Sequence, residues 1–273
     1  MSAEHWEEAA PGWVRRQEQI RAFGAPVAHW MVQAIEPQPG QRVLELAAGL
    51  GEPGMLAAEL VAPVGGVVIS DQAEGMLEGA RARAAELGLT NIEFQVLGAE
   101  WIDLPVASVD AVLCRWGYML MNDPLAALLE TRRVLRPGGR AALAVWDTLA
   151  NNPWAQLPAQ ELGERGLAQP PAEGAPGPFT LGDMERVHAL LEEAGFTEIV
   201  LDAIAVERRS QTFEDFWEET LDISRNFHDT VLGCPEGEIA EIRAGLARRL
   251  ERYMGEDGSL TIPGCSLVAA ASA

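Results

Sequence analysis

The chain has 273 residues, enough for one large domain or for one domain carrying a substantial insertion. Its formal net charge is −21, a surface that repels phosphate backbones and anionic lipids and so argues against nucleic-acid and membrane partners. All 20 basic residues are arginine, which removes any P-loop lysine, Schiff-base lysine or amine nucleophile from consideration.

In chain order, residues 1–39 form an N-terminal segment carrying Trp6, Trp13, Phe23 and Trp30, read as helices that could close over a ligand. Pro37 to Gly40 is a turn, and Arg42 to Leu46 is the first strand. A glycine loop follows, then a helix from about Met55 to Val61 that stops at Pro63. Val67 to Ile69 form the second strand, which delivers Asp71 at its carboxyl end. The next helix covers roughly Glu74 to Leu87 and stops at Gly88, a C′ residue.

Ile92, Phe94 and Val96 alternate with polar residues as a third strand, and Ala111 to Cys114 is an apolar run suited to a buried fourth. Asp123 and Pro124 read as N-cap and N1 of a helix that breaks at Pro137-Gly138-Gly139. Ala141 to Trp146 is the fifth strand. Residues 151–180 are rich in proline, glycine and alanine, including Gln169-Pro170-Pro171 and Gly174 to Pro178, and read as a linker or lid. Asp183 caps a further helix, Thr197 to Val206 is a sixth strand, residues 207–258 form a helical cap insertion, and residues 259–273 hold a final strand. Strands alternating with helices give an α/β, doubly wound Rossmann-like core over 40–150 and 181–206, with a mostly parallel seven-stranded sheet and one antiparallel edge strand.

The cysteines Cys114, Cys234 and Cys265 and the histidines His5, His29, His188 and His228 form no close pairs, so neither a disulfide framework nor a metal site is expected. No apolar run reaches roughly 18 residues, the length of a membrane-spanning helix. The first residues also lack the basic start and apolar stretch of a secretion signal, so a cytoplasmic protein is the expectation.

Gly49 to Gly54 spells G-x-G-x-x-G, the spacing of dinucleotide-binding loops. Pyrophosphates are held by backbone N–H groups and a positive helix end, and Glu52 would set a carboxylate against that anion. Glu45 and Glu52 suit a cationic ligand without phosphate, and no lysine exists for hydride chemistry of the short-chain dehydrogenase type.

Val43 to Gly51 resembles motif I of class I S-adenosylmethionine-dependent methyltransferases. Ser70 to Leu77, Val109 to Cys114, Arg133 to Arg140 and Ala194 to Phe196 resemble later motifs of that family, in order. The pattern is similar to the ubiquinone/menaquinone-type small-molecule methyltransferases. The resemblance implies S-adenosylmethionine as cofactor, no metal, and S-adenosylhomocysteine as product. Glu45, Ala47, Gly49 and Gly51 would cradle its methionine end, with Arg115 a cofactor contact; Glu45 could instead be a buried partner of Arg42 or Arg115. Asp71 and Gln72 would take the ribose and adenine, and Ala99, Glu100 and Trp101 the adenine rim in place of the family's Gly-Asp. Cys114 to Met119 departs from the N/D-P-P-Y pattern, which favours a small apolar or aromatic acceptor, with Trp116, Tyr118 and Met119 lining its pocket.

The general-base candidates are His228, His5 and Asp147, and methyl transfer by in-line displacement can proceed without one. Two other readings stay open: a protein that binds S-adenosylmethionine without transferring methyl, and an NAD(P)-dependent oxidoreductase. A homo-oligomer is compatible with each.

Overall fold

The computed structural model describes residues 2–168 and 175–273. Gln169-Pro170-Pro171 and Gly174, part of the expected linker, lie outside the described residues. Two helices open the chain, α1 (Ala3–Arg15) and α2 (Gln17–Ala34). The alternation then runs β1 (Arg42–Glu45), α3 (Glu52–Val61), β2 (Gly66–Asp71), α4 (Glu74–Glu86), β3 (Ile92–Val96) and β4 (Val109–Arg115). It continues through α5 (Pro124–Val134), β5 (Leu135–Trp146), α6 (Pro153–Glu164), α7 (Met184–Glu193) and β6 (Thr197–Ser210). Three cap helices follow, α8 (Phe213–Ile223), α9 (Arg225–Leu232) and α10 (Glu236–Leu250), before β7 (Leu260–Ser272).

The sheet order is β3-β2-β1-β4-β5-β7-β6. β1 to β5 pair in parallel, and β7 runs antiparallel between β5 and β6. The antiparallel strand therefore sits inside the sheet, and β6 is the edge. Chain order reverses between β1 and β4, the point where open α/β sheets bind ligands at the carboxyl ends of their strands. Val43, Leu44, Val67, Val68, Val112 and Leu113 are fully covered, as parallel strands with helices on both faces require.

Cap chemistry matches the sequence at several starts. Asp123 accepts from Ala126 N at 3.0 Å, Asp183 from Glu185 N at 2.9 Å and Thr212 Oγ1 from Asp215 N at 3.1 Å. A second core, separate from the sheet's, forms where Leu157 and Leu162 of α6 meet Phe216, Trp217, Ile242 and Leu246 of the cap.

Three boundaries differ from the sequence reading. α5 ends at Val134 and not at Pro137, because Leu135 already pairs with Val109 ahead of a register shift. Residues 153–164 are helix and not linker, since Pro153 sits at N1 and Leu157 and Leu162 are buried. The cap does not start at 207: β6 continues to Ser210, its alternate residues Val206, Arg208 and Ser210 buried.

Candidate cofactor site

The site begins where β1 ends. Ala47 (φ +47°), Gly49 (φ +54°) and Gly51 (φ +78°) all take the left-handed region, which reverses the chain tightly into α3. At Gly51 a side chain would meet the Ile69 side chain at 3.0 Å as well as the positive φ, so the turn needs glycine there. Leu46 N donates to Leu113 O and Ala48 N to Ser70 O, which moor the loop to both neighbouring strands.

Glu45 is buried behind this loop. Its Oε2 accepts from Gly54 N at 2.9 Å, in the first turn of α3, while its Oε1 is buried with no hydrogen-bond partner. Burial pushes its carboxyl up to about 8, opposed by the Arg115 guanidinium and the Gly54 N–H. Arg115, the last residue of β4, is the mirror case. Its guanidinium is buried, lies 4.7 Å over the Trp116 ring, and leaves Nη1 without an acceptor. It fits because α2 has glycine opposite: a Cβ on Gly24 would stand 1.8 Å from Nη1.

Asp71 ends β2. Oδ2 accepts from Gly49 N at 2.8 Å and Oδ1 from Ala73 N at 3.0 Å. Burial pushes this carboxyl up, against those N–H groups. A cavity of about 120 Å³ lies between these groups. Trp6 and Trp13 of α1 roof it, packed edge to face at 5.6 Å. Trp13 Nε1 donates to Ile223 O at 3.2 Å, and Asp222 takes Arg15 at 2.5 Å and Arg16 at 2.6 Å, so α8 pins the roof.

A family model described as a methyltransferase domain matches residues 37–195, more than half of the chain. The chain belongs to this family, the class I S-adenosylmethionine-dependent methyltransferases. It is 38% identical over 120 residues to aklanonic acid methyltransferase DauC of Streptomyces sp. (strain C5), covering 44% of this chain and 54% of that one. It is 37% identical over 113 residues to the ubiquinone/menaquinone biosynthesis C-methyltransferase UbiE of Xanthomonas oryzae pv. oryzae, covering 41% and 45%. The chain thus spans about half the length of the curated relatives it matches. Among solved structures it resembles an S-adenosylmethionine-dependent methyltransferase from Aquifex aeolicus, with TM-score 0.51, 20% identity, and coverage of 72% of this chain and 92% of that one. That likeness shows the fold.

Of the residues singled out from the sequence, Ala47, Gly49, Asp71 and Gln72 line the cavity, as do Ala99, Glu100, Arg115 and Trp116. Glu45 and Gly51 stand behind the loop and shape it. Others are placed elsewhere. Trp101 is 78% exposed and off the cavity, turned out by the Gly98–Trp101 bridge. Tyr118 and Met119 are buried in the core, because Trp116 (φ +60°) turns the chain inward before a short 3₁₀ turn. Tyr118 shares a 2.6 Å hydrogen bond with Thr131, and Met119 Sδ accepts from Trp146 N.

None of the three base candidates lines the cavity. His5 packs on Trp6, with its pKa lowered chiefly by burial, and His228 pairs with Asp229 at 3.0 Å. Asp147 accepts from Thr148 N and Asn151 Nδ2. Among the lining residues that the sequence reading missed are Met76 on α4 and Leu97, Leu120, Met121 and Asn122. The last four lie after β3 and β4, where periodicity carries no signal.

Proposed function

We propose that the chain transfers a methyl group from S-adenosylmethionine to a small organic acceptor, apolar or aromatic. The observation that carries this reading is a pair of buried, unpartnered atoms, Arg115 Nη1 on a residue that lines the cavity together with Asp71, and Glu45 Oε1 behind the same loop. Unpartnered buried polar atoms of opposite character suit the ammonium and carboxylate of an amino-acid moiety. Backbone N–H groups of Gly49, Ala73 and Gln72 hold the Asp71 carboxylate in place, at the edge of the cavity where it would accept from a ribose hydroxyl. The donor set suits a zwitterion joined to a ribose, and Glu45 offers nothing to a pyrophosphate.

When bound, S-adenosylmethionine supplies an electrophilic methyl carbon on a sulfonium. The chain's contribution is then positioning and exclusion of water. Arg115 and Glu45 hold the amino-acid end, Asp71 and Gln72 orient the ribose, and Ala99 and Glu100 border the adenine. Trp6 and Trp13 cover the site from above.

The test is calorimetric titration of the wild type and Asp71→Ala with S-adenosylmethionine, S-adenosylhomocysteine, NAD and NADP. Binding of the two sulfur compounds, weakened tenfold or more in the variant, supports the reading. Binding of NAD or NADP alone overturns it.

A further inference from the structure

The buried Arg115 guanidinium makes no hydrogen bond and no close ion pair with any described residue. Glu45 and Glu52 attract it only through space. An arginine receives a carboxylate through two parallel N–H donors, so its use as a receptor depends on the plane of that fork being fixed. No polar partner fixes it here among the described residues.

The Trp116 ring does, 4.7 Å from the guanidinium carbon. α2 seats the two together in one notch: a Cβ on Gly24 would stand 1.8 Å from Arg115 Nη1 and 3.2 Å from Trp116 Cη2. The ring is itself braced. It stacks on Trp146 at 4.1 Å and 20°, and Trp146 stacks in turn on Phe23 at 5.4 Å. Trp116 N donates to Ala144 O at 2.8 Å and Nε1 to Ser266 Oγ at 3.0 Å, which ties its main chain to β5 and its side chain to β7. Ser266 is fully covered and donates its own O–H to Val145 O at 3.0 Å, so the acceptor for the indole is fixed as well. Trp116 keeps this place at φ +60°, a costly conformation for a bulky residue that persists only where the surroundings over-determine it.

We propose that Trp116 is a positioning residue. It acts through Arg115, setting the guanidinium to receive the carboxylate of the cofactor's amino-acid end, and so makes the site selective for adenosyl thioethers that keep that carboxylate over those that lack it. Ser266 is the second member of the device, holding the ring that holds the arginine. The assignment deepens the methyl-transfer reading and rests on it.

The experiment uses the full chain and two probes, S-adenosylhomocysteine and 5′-methylthioadenosine, titrated by calorimetry. The second probe keeps the adenine, ribose and thioether and lacks the amino-acid moiety. The wild type is expected to bind S-adenosylhomocysteine at least thirtyfold tighter. Trp116→Leu keeps a Cβ on the left-handed backbone and removes the ring. It weakens S-adenosylhomocysteine tenfold or more and 5′-methylthioadenosine less than threefold, while Trp116→Phe, which restores a ring, brings S-adenosylhomocysteine back to within threefold of the wild type. Arg115→Met costs at least as much as Trp116→Leu, and the double variant loses less than threefold beyond Arg115→Met alone, because a residue acting through another adds little once that other is gone. Ser266→Ala leaves ring and arginine in place and removes only the indole's acceptor. It lowers the preference for S-adenosylhomocysteine at least threefold, and it carries the test should the ring variants fail to fold.

Equal weakening of both probes in Trp116→Leu makes the ring a plain wall of the cavity and overturns the proposal. So do losses that multiply in the double variant, or a preference left unchanged by Ser266→Ala. A wild type that binds neither probe is a separate result, and sinks the methyl-transfer reading and the proposal with it.

Discussion

Replacing Glu45 by glutamine isolates the buried carboxyl at the heart of the cofactor site. In the unfolded chain this group has its ordinary value of 4.5, and in the folded chain burial lifts it to about 8. The folded form thus keeps a proton that the unfolded form gives up. Its contribution to stability is complete below pH 4.5 and drains away as pH rises toward 8. The gap of roughly 3.5 units, at about 1.4 kcal/mol per unit, sets an upper bound of about 5 kcal/mol. Relaxation of the loop and entry of water recover part of this, leaving about 2–4 kcal/mol.

Glutamine is neutral throughout and keeps an oxygen to accept from Gly54 N. Urea unfolding of both proteins from pH 5 to 8, without cofactor, is the assay. The variant should match the wild type near pH 5 and exceed it by about 2–4 kcal/mol at pH 8. The general repulsion of a chain with net charge −21 affects both alike and cancels in the difference. With S-adenosylhomocysteine present the advantage should shrink, because the wild-type carboxylate gains a cationic partner. A difference that stays constant from pH 5 to 8 would refute the reasoning, for it would mean that Glu45 is ionised in the folded protein throughout.

Gly24→Ala places a Cβ 1.8 Å from Arg115 Nη1, so the guanidinium must move. S-adenosylhomocysteine affinity should fall at least tenfold by calorimetry, and an unchanged Kd would remove Arg115 from the cofactor's contacts. Asp222→Ala frees Arg15, leaves Arg16 only its Glu218 pair, and loosens the α1 roof. At about 1 kcal/mol, the upper range for partly exposed pairs, S-adenosylhomocysteine should leave about fivefold faster in stopped-flow tryptophan fluorescence; an unchanged rate means the roof does not gate release. Asn152→Ala deletes a buried side chain that donates to Asp147 O, Thr148 O and Cys265 O and accepts from Trp154 Nε1 and Cys265 N. Thermal unfolding should show a loss of about 2–4 kcal/mol, and a loss below about 1 kcal/mol would show that water replaces the amide.

The doubly wound core was legible because its signals are local. β2 and β4 carry the short apolar runs Val67 to Ile69 and Ala111 to Cys114, and the loop after β1 carries glycines where the backbone turns left-handed. The end of β6 was hidden because Arg208 and Ser210 are polar residues that become buried only through partners on α8, which are far along the chain. α6 was hidden by its prolines, which composition assigns to a linker although Pro153 occupies a position where helices accept proline.

In the site, Glu45 and Asp71 follow from their places at strand ends. Tyr118 and Met119 did not, because the left-handed turn at Trp116 decides which way they face, and tryptophan gives no warning of such a turn. Trp101 was misplaced for a related reason: an aromatic residue next to a binding loop invites a stacking role, yet the backbone turns it to solvent.

A crystal structure of the chain grown with S-adenosylhomocysteine tests the central claim most directly. The account predicts both ribose hydroxyls on the Asp71 carboxylate, the amino-acid end within reach of Arg115 and Glu45, and Trp6 and Trp13 closed above it. Density for the ligand anywhere else, or a ligand in this cavity that leaves Asp71 and Arg115 uncontacted, would contradict it.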